Sequence, residues 1–341
     1  MTKGRQRSQL VELCRFVASV LIVCHHSEML GHRTHFVAGW VFVEFFFMLT
    51  GYFTARHVAR RPPSQGPFRE AVHYTRDKLA RVVPFAWTGV ALGVVAMLLR
   101  ANLADEWLRM LLSVPYNLLF LQGLPLHLPV VNYDVPLWYL TALMLFLPLL
   151  VATMRRMPSA YRRLLCWFVP LVLLGHNLVV VGKLSVWEAG VPKLMRGLAD
   201  LMLGTLAYTI AEWVRGRATD RAMLLVRLGG VASFAALCAI AGVLGVEGYE
   251  ASVALVALAF VATLLVVTNE RNYVEGRTPY ALCGYLGALS MPLFCLHYPV
   301  GQIVQTCVPT LSYEAKLLLC LAASVGLSAL ALGVIRGRTY T

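Results

Sequence analysis

Ionisable side chains interrupt several long apolar stretches of this sequence, at positions where water would not solvate them. The set comprises Glu12, Arg15, His25, His26, Glu44 and His297. Placing an ionisable residue at the centre of a membrane-spanning helix costs on the order of 2.5–3.5 kcal/mol on insertion scales. A protein that only anchored itself in a bilayer would have no use for such residues. Their positions therefore indicate a functional site inside the apolar region.

Arg15 and His26 have a spacing that places them on one face of a helix. They are eleven residues apart, which corresponds to about 1100° of rotation, or three turns and about 20°, and to a rise of about 16–17 Å. A guanidinium binds anions, and an imidazole exchanges protons near neutral pH. One hypothesis is a long substrate with an anionic head, such as coenzyme A, that extends along the helix. The alternative is that Arg15 pairs with Glu12 at the interface and that the histidines lie at the membrane surface.

The composition places the chain among integral membrane proteins. Hydrophobic residues make up 59% and charged residues 14% of the 341 residues, and the mean hydropathy is +0.68. A soluble domain needs more charge to cover its surface. The net charge of +13 does not indicate nucleic-acid binding, because the cations cluster in short loops between apolar segments, which is the positive-inside pattern. The eight cysteines form no CxxC pair, so neither a metal site nor a disulfide framework is predicted.

The apolar stretches predict an all-α bundle of about ten membrane-spanning helices. Each provides about 17–25 residues, which matches a hydrocarbon core of about 30 Å. The predicted spans are 10–30, 37–53, 79–99, 136–154, 164–181, 194–214, 222–246, 251–267, 280–308 and 315–335. One further stretch, 107–121, is shorter and contains Pro115 and Asn117.

The distribution of cations predicts the topology. Clusters of lysine and arginine at the N-terminus and in alternate loops all fall on one side of the membrane only if 107–121 does not cross it. The clusters comprise Lys3, Arg5, Arg7, Arg56, Arg60, Arg61, Arg69, Arg76, Lys78, Arg155, Arg156, Arg162, Arg163, Arg215, Arg217, Arg221, Arg271, Arg277, Arg336 and Arg338. We therefore predict both termini in the cytoplasm and 107–121 as re-entrant or at the outer interface. No internal repeat is visible, so residues 1–341 are interpreted as a single domain.

Several of these residues fall within short motifs that follow one another along the chain. The motifs are Arg15–ten residues–His26, EFFFMLTGYF at 44–53, KLARVVP at 78–84, LWYLTALMLF at 137–146 and LGALSMPLFCLHYPV at 286–300. Together they resemble the acyltransferase family 3 membrane proteins, which O-acetylate cell-surface glycans and related molecules with cytoplasmic acyl-CoA.

The chain also departs from the pattern of that family. Thr50 replaces a serine and Tyr52 a phenylalanine, and Leu143 stands where many members have a glutamate five residues after the tryptophan. The chain ends at Thr341, so the extracytoplasmic esterase-type domain of some members is expected to be absent. Transfer of the acyl group to the acceptor would then be completed within the membrane domain.

The resemblance implies catalytic roles for two residues. His26 would act as the general base that takes the proton from an acceptor hydroxyl as it attacks the thioester. Glu44 would orient His26 and stabilise the imidazolium, as the third member of a triad does. The alternatives are that His26 is a satisfied interior histidine and that Glu44 is a hydrogen-bond partner between helices.

The resemblance also implies binding roles. Arg15 would contact the acyl-CoA donor, and Lys78 and Arg81 would hold its nucleotide phosphates at the cytoplasmic face, unless these two cations only set the topology. Trp138 and Tyr139 could stack on a sugar ring near the outer opening. The possible substrate-binding residues are His25, His297, Trp138 and Tyr139.

The resulting prediction is a multi-pass enzyme of the inner cell membrane. It would transfer an acyl group, with acetyl the first candidate, from cytoplasmic acyl-CoA to a hydroxyl of an extracytoplasmic or membrane-presented glycan. Its partners would be acetyl-CoA as co-substrate, a glycan or lipid-linked sugar acceptor and membrane lipids, without a metal or a nucleic acid. Direct transfer is favoured over an acylated Cys24.

The alternative function is a proton-coupled transporter that uses the same Glu, Arg and His residues. Acceptor identity, acyl chain length and oligomeric state stay open.

Overall fold

The computed structural model describes residues 8–31, 36–62, 66–100, 103–126, 128–184, 190–243, 249–269 and 278–338. All regular secondary structure in these ranges is helical, which confirms the predicted all-α bundle. The α-helices are α1 (Gln9–His25), α2 (Val41–Arg60), α3 (Pro67–Leu79), α4 (Val83–Arg100), α5 (Leu103–Leu118), α6 (Trp138–Arg156), the single-turn α7 (Pro158–Ala160), α8 (Cys166–Val181), α9 (Val191–Arg215), α10 (Asp220–Val243), α11 (Tyr249–Thr268), α12 (Thr278–Cys307) and α13 (Tyr313–Arg338).

The helices are long enough to make the chain a multi-pass membrane protein. Within the described ranges, eight helical segments are long and apolar enough to cross a bilayer, and they contain α1, α2, α4, α6, α8, α10, α11 and α13. α9 and α12 are more polar, but their 25 and 30 residues correspond to about 37 and 45 Å of helix. Crossings by these two helices would give the predicted ten, and this number and the orientation stay predictions.

The short stretch 107–121 lies mostly within α5. The 16 residues of α5 reach only about 24 Å, which is less than a hydrocarbon core of about 30 Å. Trp107, Leu111 and Leu112 are exposed on the surface of the bundle. The two predicted alternatives for 107–121, a re-entrant segment or a segment at the outer interface, both stay predictions. Five cations used for the topology, Lys3, Arg5, Arg7, Arg271 and Arg277, lie outside the described residues.

α2 lies at the centre of the bundle and packs against α9, α11, α6 and α1. Its contact with α9 brings two backbones together at glycines. A Cβ on Gly51 would overlap the Leu201 carbonyl, and a Cβ on Gly204 would overlap the Met48 carbonyl. Small residues allow membrane helices to approach this closely. The glycines therefore fix the position of α9 relative to α2.

Replacement of Gly204 by valine is expected to separate α2 from α9 and to lower the free energy of unfolding by about 1–3 kcal/mol, because the added carbons overlap backbone atoms. Thermal melting in detergent would measure this. Gly326→Ala is the matched control, since nothing lies within 4 Å of a Cβ there. An equal melting temperature for Gly204→Val and the control would contradict the packing described.

α3 is held against the C-terminal end of α6 by a two-pronged ion pair. Arg155 donates from Nε to Glu70 Oε2 at 2.9 Å and from Nη2 to Glu70 Oε1 at 2.6 Å. The same Nη2 donates to the Arg61 carbonyl at 2.8 Å. Two parallel bonds of this kind add geometric specificity as well as energy. The pair therefore sets the position of α3 next to α4 and α6.

α12 packs along α1 and also contacts α4 and α13. Ser19 Oγ donates to the Ser290 carbonyl at 3.0 Å, and the Glu12 carboxylate lies so close to Gly287 that a Cβ there would overlap it. These two contacts fix how far α12 is shifted along α1. With that register, His297 on α12 lies beside His26 at the end of α1.

The two motif departures within α2 have identifiable contacts. Thr50 retains a hydroxyl, and its Oγ1 lies 2.9 Å from the Tyr139 hydroxyl in a hydrogen bond. The additional hydroxyl of Tyr52 accepts a hydrogen bond from Arg215 at 3.3 Å. Arg215 also donates to the Val267 carbonyl at the end of α11, at 3.0 Å. Tyr52 thus links three helices, which a phenylalanine could not do.

Candidate active site

The end of α1 presents two adjacent histidines with different surroundings. The α-helix ends at His25, and His26 begins a tighter 3-10 turn. The His25 Nδ1–H donates to the Phe36 carbonyl at 3.1 Å. Gly39 lies against this ring, since a Cβ there would be 2.6 Å from the His25 Cβ. Both histidines are buried, so the predicted intramembrane imidazoles lie inside the bundle and not on its surface.

His26 and His297 form a hydrogen-bonded pair in which the donor and the acceptor can be assigned. His297 Nδ1 lies 3.1 Å from the Leu293 carbonyl and 2.9 Å from the Phe294 carbonyl. Carbonyls only accept, so this nitrogen carries the proton and the Nε2 of neutral His297 is an acceptor. His26 Nδ1 donates to that Nε2 at 3.1 Å and is 3.1 Å from the Ile22 carbonyl. The basic lone pair of neutral His26 therefore lies on its Nε2.

A cavity of about 50 Å³ lies next to this pair. It is lined by His25, His26, Trp40, Val43, Val135, Pro136, Trp138, Lys193, Arg196 and Phe294. The elements that supply these residues are far apart in the sequence, from the end of α1 to α12. The cavity brings together two of the predicted substrate-binding residues, His25 and Trp138, with the predicted base His26.

The cavity also contains two cations that the sequence analysis missed. Lys193 Nζ lies 4.7 Å from the centre of the Trp138 ring, and the Arg196 guanidinium carbon lies 5.3 Å from it. Both side chains are buried. Their spacing with Asp200 on α9 is three and then four residues, which places all three on one helix face. That helical spacing of charges within an apolar stretch was a signal that could have identified them.

Glu44 pairs with one of these cations. Its Oε1 lies 3.0 Å from Arg196 Nε, and both side chains are almost fully buried. Asp200, also buried, is within interaction range of both Glu44 and Arg196. Two acids thus share one guanidinium between α2 and α9. In the structure, the residue that contacts and orients His26 is His297. The predicted contact of Glu44 with His26 stays a prediction.

Arg15 lies three turns before the histidines and is partly buried. Its Nη1 donates to Glu12 Oε2 at 2.9 Å, so the pair proposed as the alternative interpretation exists. The pair leaves 22% of the Arg15 side chain exposed, against 6% for Glu12. Arg15 can therefore bind an anionic ligand while it keeps this pair. Its predicted contact with a donor stays a prediction.

Aromatic rings connect the level of Arg15 with the histidine pair. Tyr139 is within electrostatic range of Arg15, and its ring centre lies 5.5 Å from that of Phe294. The Phe294 ring lies 6.2 Å from the His297 ring. Tyr139 is buried with its hydroxyl bonded to Thr50, so it packs in the wall between the two levels. Its predicted contact with a sugar stays a prediction.

A second, open cavity of about 600 Å³ lies beside α3. It is lined by Val72, Thr75, Arg76, Leu79, Ala80, Val83, Pro84, Met144 and Pro148. This volume is within the range of about 300–1,000 Å³ that is typical of small-molecule sites. Lys78 and Arg81, the predicted phosphate-binding cations, are sequence neighbours of lining residues but do not line the cavity themselves. Lys78 Nζ is 5.8 Å from the Tyr74 ring centre.

Comparison with known proteins agrees with the motifs. The family model of the acyltransferase domain of acyltransferase family 3 matches residues 10–335. No curated protein and no solved structure matches the chain. The matched region includes every residue of the candidate site, from Arg15 to His297, and the predicted family is confirmed. The chain therefore belongs to acyltransferase family 3 and is a multi-pass membrane acyltransferase.

Proposed function

We propose that this protein transfers an acyl group, in the first instance acetyl, from cytoplasmic acyl-CoA to a hydroxyl of an extracytoplasmic or membrane-presented glycan. The observation that supports this most directly is the His26–His297 pair. It gives a buried imidazole with a defined basic nitrogen, next to a cavity and directly after the helix that carries Arg15. The inner cell membrane is the proposed location, because acyl-CoA is available only at a cytoplasmic face.

The proposed chemistry is a direct transfer with His26 as general base. His26 Nε2 takes the proton of the acceptor hydroxyl while the hydroxyl oxygen attacks the thioester carbonyl carbon. The carbon–sulfur bond then breaks, and the thiolate of coenzyme A takes the proton back from the imidazolium. The products are the acyl ester and free coenzyme A, and His26 returns to its starting state. No covalent acyl-enzyme is required.

His297 is proposed as the positioning residue for this step. Its Nε2 accepts from His26 Nδ1, which holds the ring and keeps the basic nitrogen on the other side. The imidazolium that forms during transfer is stabilised by the same contact. Glu44 is proposed to contribute through Arg196, which lines the same cavity as His26.

His297→Phe is expected to lower kcat for acyl transfer by about 10²-fold while the KM for acetyl-CoA changes little, because the ring of His26 loses its acceptor. His297→Asn should recover part of the rate, since its side-chain carbonyl can accept from His26 Nδ1. Initial rates at varied acetyl-CoA concentrations would measure both. Equal rates for the two variants would argue against a positioning role.

The donor is proposed to approach through the open cavity beside α3. Lys78 and Arg81 would hold its nucleotide phosphates, and the apolar walls would accommodate the pantetheine arm. Arg15 would contact the donor further along α1, and the thioester would reach the level of His26. The rise of about 16–17 Å between Arg15 and His26 requires a long, flexible donor of this type.

Arg155→Lys is expected to raise the KM for acetyl-CoA about three- to tenfold, because a lysine cannot form the two-pronged bond to Glu70 that holds α3. The value of kcat should change less, since the histidine pair is remote from this contact. Steady-state kinetics with purified enzyme would test this. Arg156→Lys, a substitution of the exposed neighbour, is the control. A similar shift of KM in both variants would contradict the role of the Arg155–Glu70 ion pair.

The enzymatic proposal is tested against the transporter alternative by one assay. Purified protein in detergent is incubated with radiolabelled acetyl-CoA and a panel of glycans, and label in the glycan is measured. Transfer that requires His26 supports the enzyme. Proton-coupled solute uptake by proteoliposomes, without any dependence on acyl-CoA, would support the transporter.

A further inference from the structure

Asp134 is a buried acid to which the proposed reaction gives no role. It directly precedes the 3-10 turn Val135–Leu137, which leads into α6 and begins the candidate span Val135–Arg156. Its side chain is completely buried. An aspartate before a helical turn commonly accepts a backbone N–H of that turn, but Asp134 makes no such bond. No described residue donates a hydrogen bond to either of its carboxyl oxygens. The carboxyl group is therefore accommodated in another way.

The Asp134 carboxyl group lies next to α4 and α12, beside the carbonyl of Cys295. A Cβ at Gly89 on α4 would be 2.7 Å from Asp134 Oδ2 and 2.2 Å from the Cys295 carbonyl oxygen. Both oxygens thus lie beside the same point. The Cys295 thiol is also within electrostatic range of Asp134. Because Gly89 has no side chain, α4 leaves room for the carboxyl group to reach this carbonyl.

The Cys295 carbonyl lacks its regular helical partner. In an α-helix a carbonyl accepts from the N–H four residues later, and here that residue is Pro299 inside α12, which has no N–H. The two preceding carbonyls, those of Leu293 and Phe294, lie within hydrogen-bond distance of His297 Nδ1. Buried backbone carbonyls are nearly always paired. A donor for the Cys295 carbonyl is therefore expected from a neighbouring element.

The turn of α12 between Cys295 and Pro299 supplies two contacts to the proposed base. His297 Nε2 accepts from His26 Nδ1 at 3.1 Å, and the Tyr298 ring centre lies 5.7 Å from that of His26, with the ring planes at 88°. A shift of this turn would change both contacts. Misplacement of a catalytic group by about 1 Å can lower a rate about 10²-fold, so the support of this turn bears on the rate.

A carboxyl group can donate to a carbonyl only when it carries a proton. A carboxylate only accepts hydrogen bonds, so it would repel the Cys295 oxygen, whereas the O–H of a carboxylic acid donates to it. Burial raises the pKa of Asp134 well above its usual range. The position of the carboxyl group and its burial thus favour the same neutral state.

We propose that Asp134, as a neutral carboxylic acid, donates a hydrogen bond to the Cys295 carbonyl and thereby positions His297 for acyl transfer. The inference rests on the proposed function, in which His297 orients the base His26. His297 lies midway between Cys295 and Pro299, in the turn that lacks one of its helical bonds. Asp134 supports this turn from outside α12. It acts on the reaction only through His297, so it is a positioning residue.

Two substitutions distinguish a neutral donor from a carboxylate. Asp134→Asn keeps the shape and provides an N–H that can donate to the carbonyl, whereas Asp134→Leu provides no donor. We expect Asp134→Asn to lower kcat no more than about threefold and Asp134→Leu to lower it about tenfold to 10²-fold, with the KM for acetyl-CoA nearly unchanged in both. Initial rates of label transfer measure this. Equal losses in the two variants, or no loss in either, would overturn the proposal.

The proton on Asp134 can be detected without any reaction. Infrared spectra of the wild-type protein and Asp134→Asn are compared at neutral pH. We expect their difference to contain the C=O stretching band of a protonated carboxylic acid. Asp220→Asn is the matched control, since Asp220 is exposed at the start of α10 and should give the bands of a carboxylate instead. Carboxylate bands for Asp134 as well would show that it cannot be the donor.

A double-mutant cycle identifies the acceptor of the bond. Pro299→Ala supplies the missing N–H within α12, so the Cys295 carbonyl no longer needs Asp134. Asp134→Leu should lower the melting temperature by about 2–4 °C in the wild-type background and by less in the Pro299→Ala background. Pro170→Ala is the control, since Pro170 lies inside α8, which packs against α9. Equal drops in all three backgrounds would show that Asp134 does not serve this carbonyl.

Failure of the proposed function gives a different result. If the wild-type protein transfers no label from acetyl-CoA, while the infrared band and the cycle are as expected, the hydrogen bond stands and the proposed reaction is wrong. If transfer requires His26 but Asp134→Leu transfers at the wild-type rate, the reaction stands and the positioning role of Asp134 is wrong.

Discussion

Replacement of His26 by alanine is expected to lower acyl transfer by about 10²–10⁴-fold, which is the usual contribution of a general base. The remaining groups of the site would still bind donor and acceptor, so the KM values should change much less than kcat. Alanine removes the only nitrogen with a basic lone pair that the His26–His297 pair presents to the cavity. The Nε2 of His297 also carries a lone pair, but His297 does not line the cavity, so we do not expect it to replace His26.

The measurement is the initial rate of label transfer from acetyl-CoA, together with the melting temperature in detergent. His176→Ala is the matched control, since His176 lies on the exposed side of α8 and should leave both values unchanged. A His26→Ala protein that melts like the wild type and still transfers acyl groups at more than about a tenth of its rate would eliminate His26 as the base.

Replacement of Arg196 by methionine is expected to have the largest effect on stability, with a loss of about 3–5 kcal/mol in the free energy of unfolding. Removing one partner of a buried ion pair leaves the other charge uncompensated. Here the Glu44 carboxylate, which lies next to the buried Asp200, loses its cationic partner.

Thermal or denaturant unfolding in detergent would measure this loss, with the exposed Arg227→Met as control. The double variant Glu44→Gln with Arg196→Met should be more stable than Arg196→Met alone, since the uncompensated carboxylate is removed as well. Such non-additivity is expected for residues in direct contact. If the two substitutions add independently, the buried ion pair does not stabilise the fold.

The sequence predicted the helical bundle and its family because those properties depend on local patterns. Apolar stretches of about 20 residues specify membrane helices whatever their neighbours. Arg15 lies in α1 and His26 directly follows its last residue, so helical geometry gives their approximate separation. α9 was predicted as a helix on the same grounds, and the periodicity of its charges at 193, 196 and 200 was a further signal in the sequence.

The partners of the site residues could not be predicted from such patterns. His26 and His297 are separated by 271 residues, and their contact depends on how far α12 is shifted along α1, which the Ser19 and Gly287 contacts set. The pairing of Glu44 with Arg196 likewise depends on the close approach of α2 and α9 at Gly51 and Gly204. Tertiary packing determines both pairings, and the residue pattern of a single sequence does not predict it.

The hydrogen-bond chain that begins at His26 ends on the carbonyls of Leu293 and Phe294. A carbonyl oxygen has no proton to pass on, so the chain orients His26 but cannot conduct. In the proposed direct transfer, the proton taken from the acceptor therefore leaves with the coenzyme A thiol. If donor and acceptor reach the site from opposite faces, as proposed, acylation would then proceed without dissipating the electrochemical gradient of the membrane.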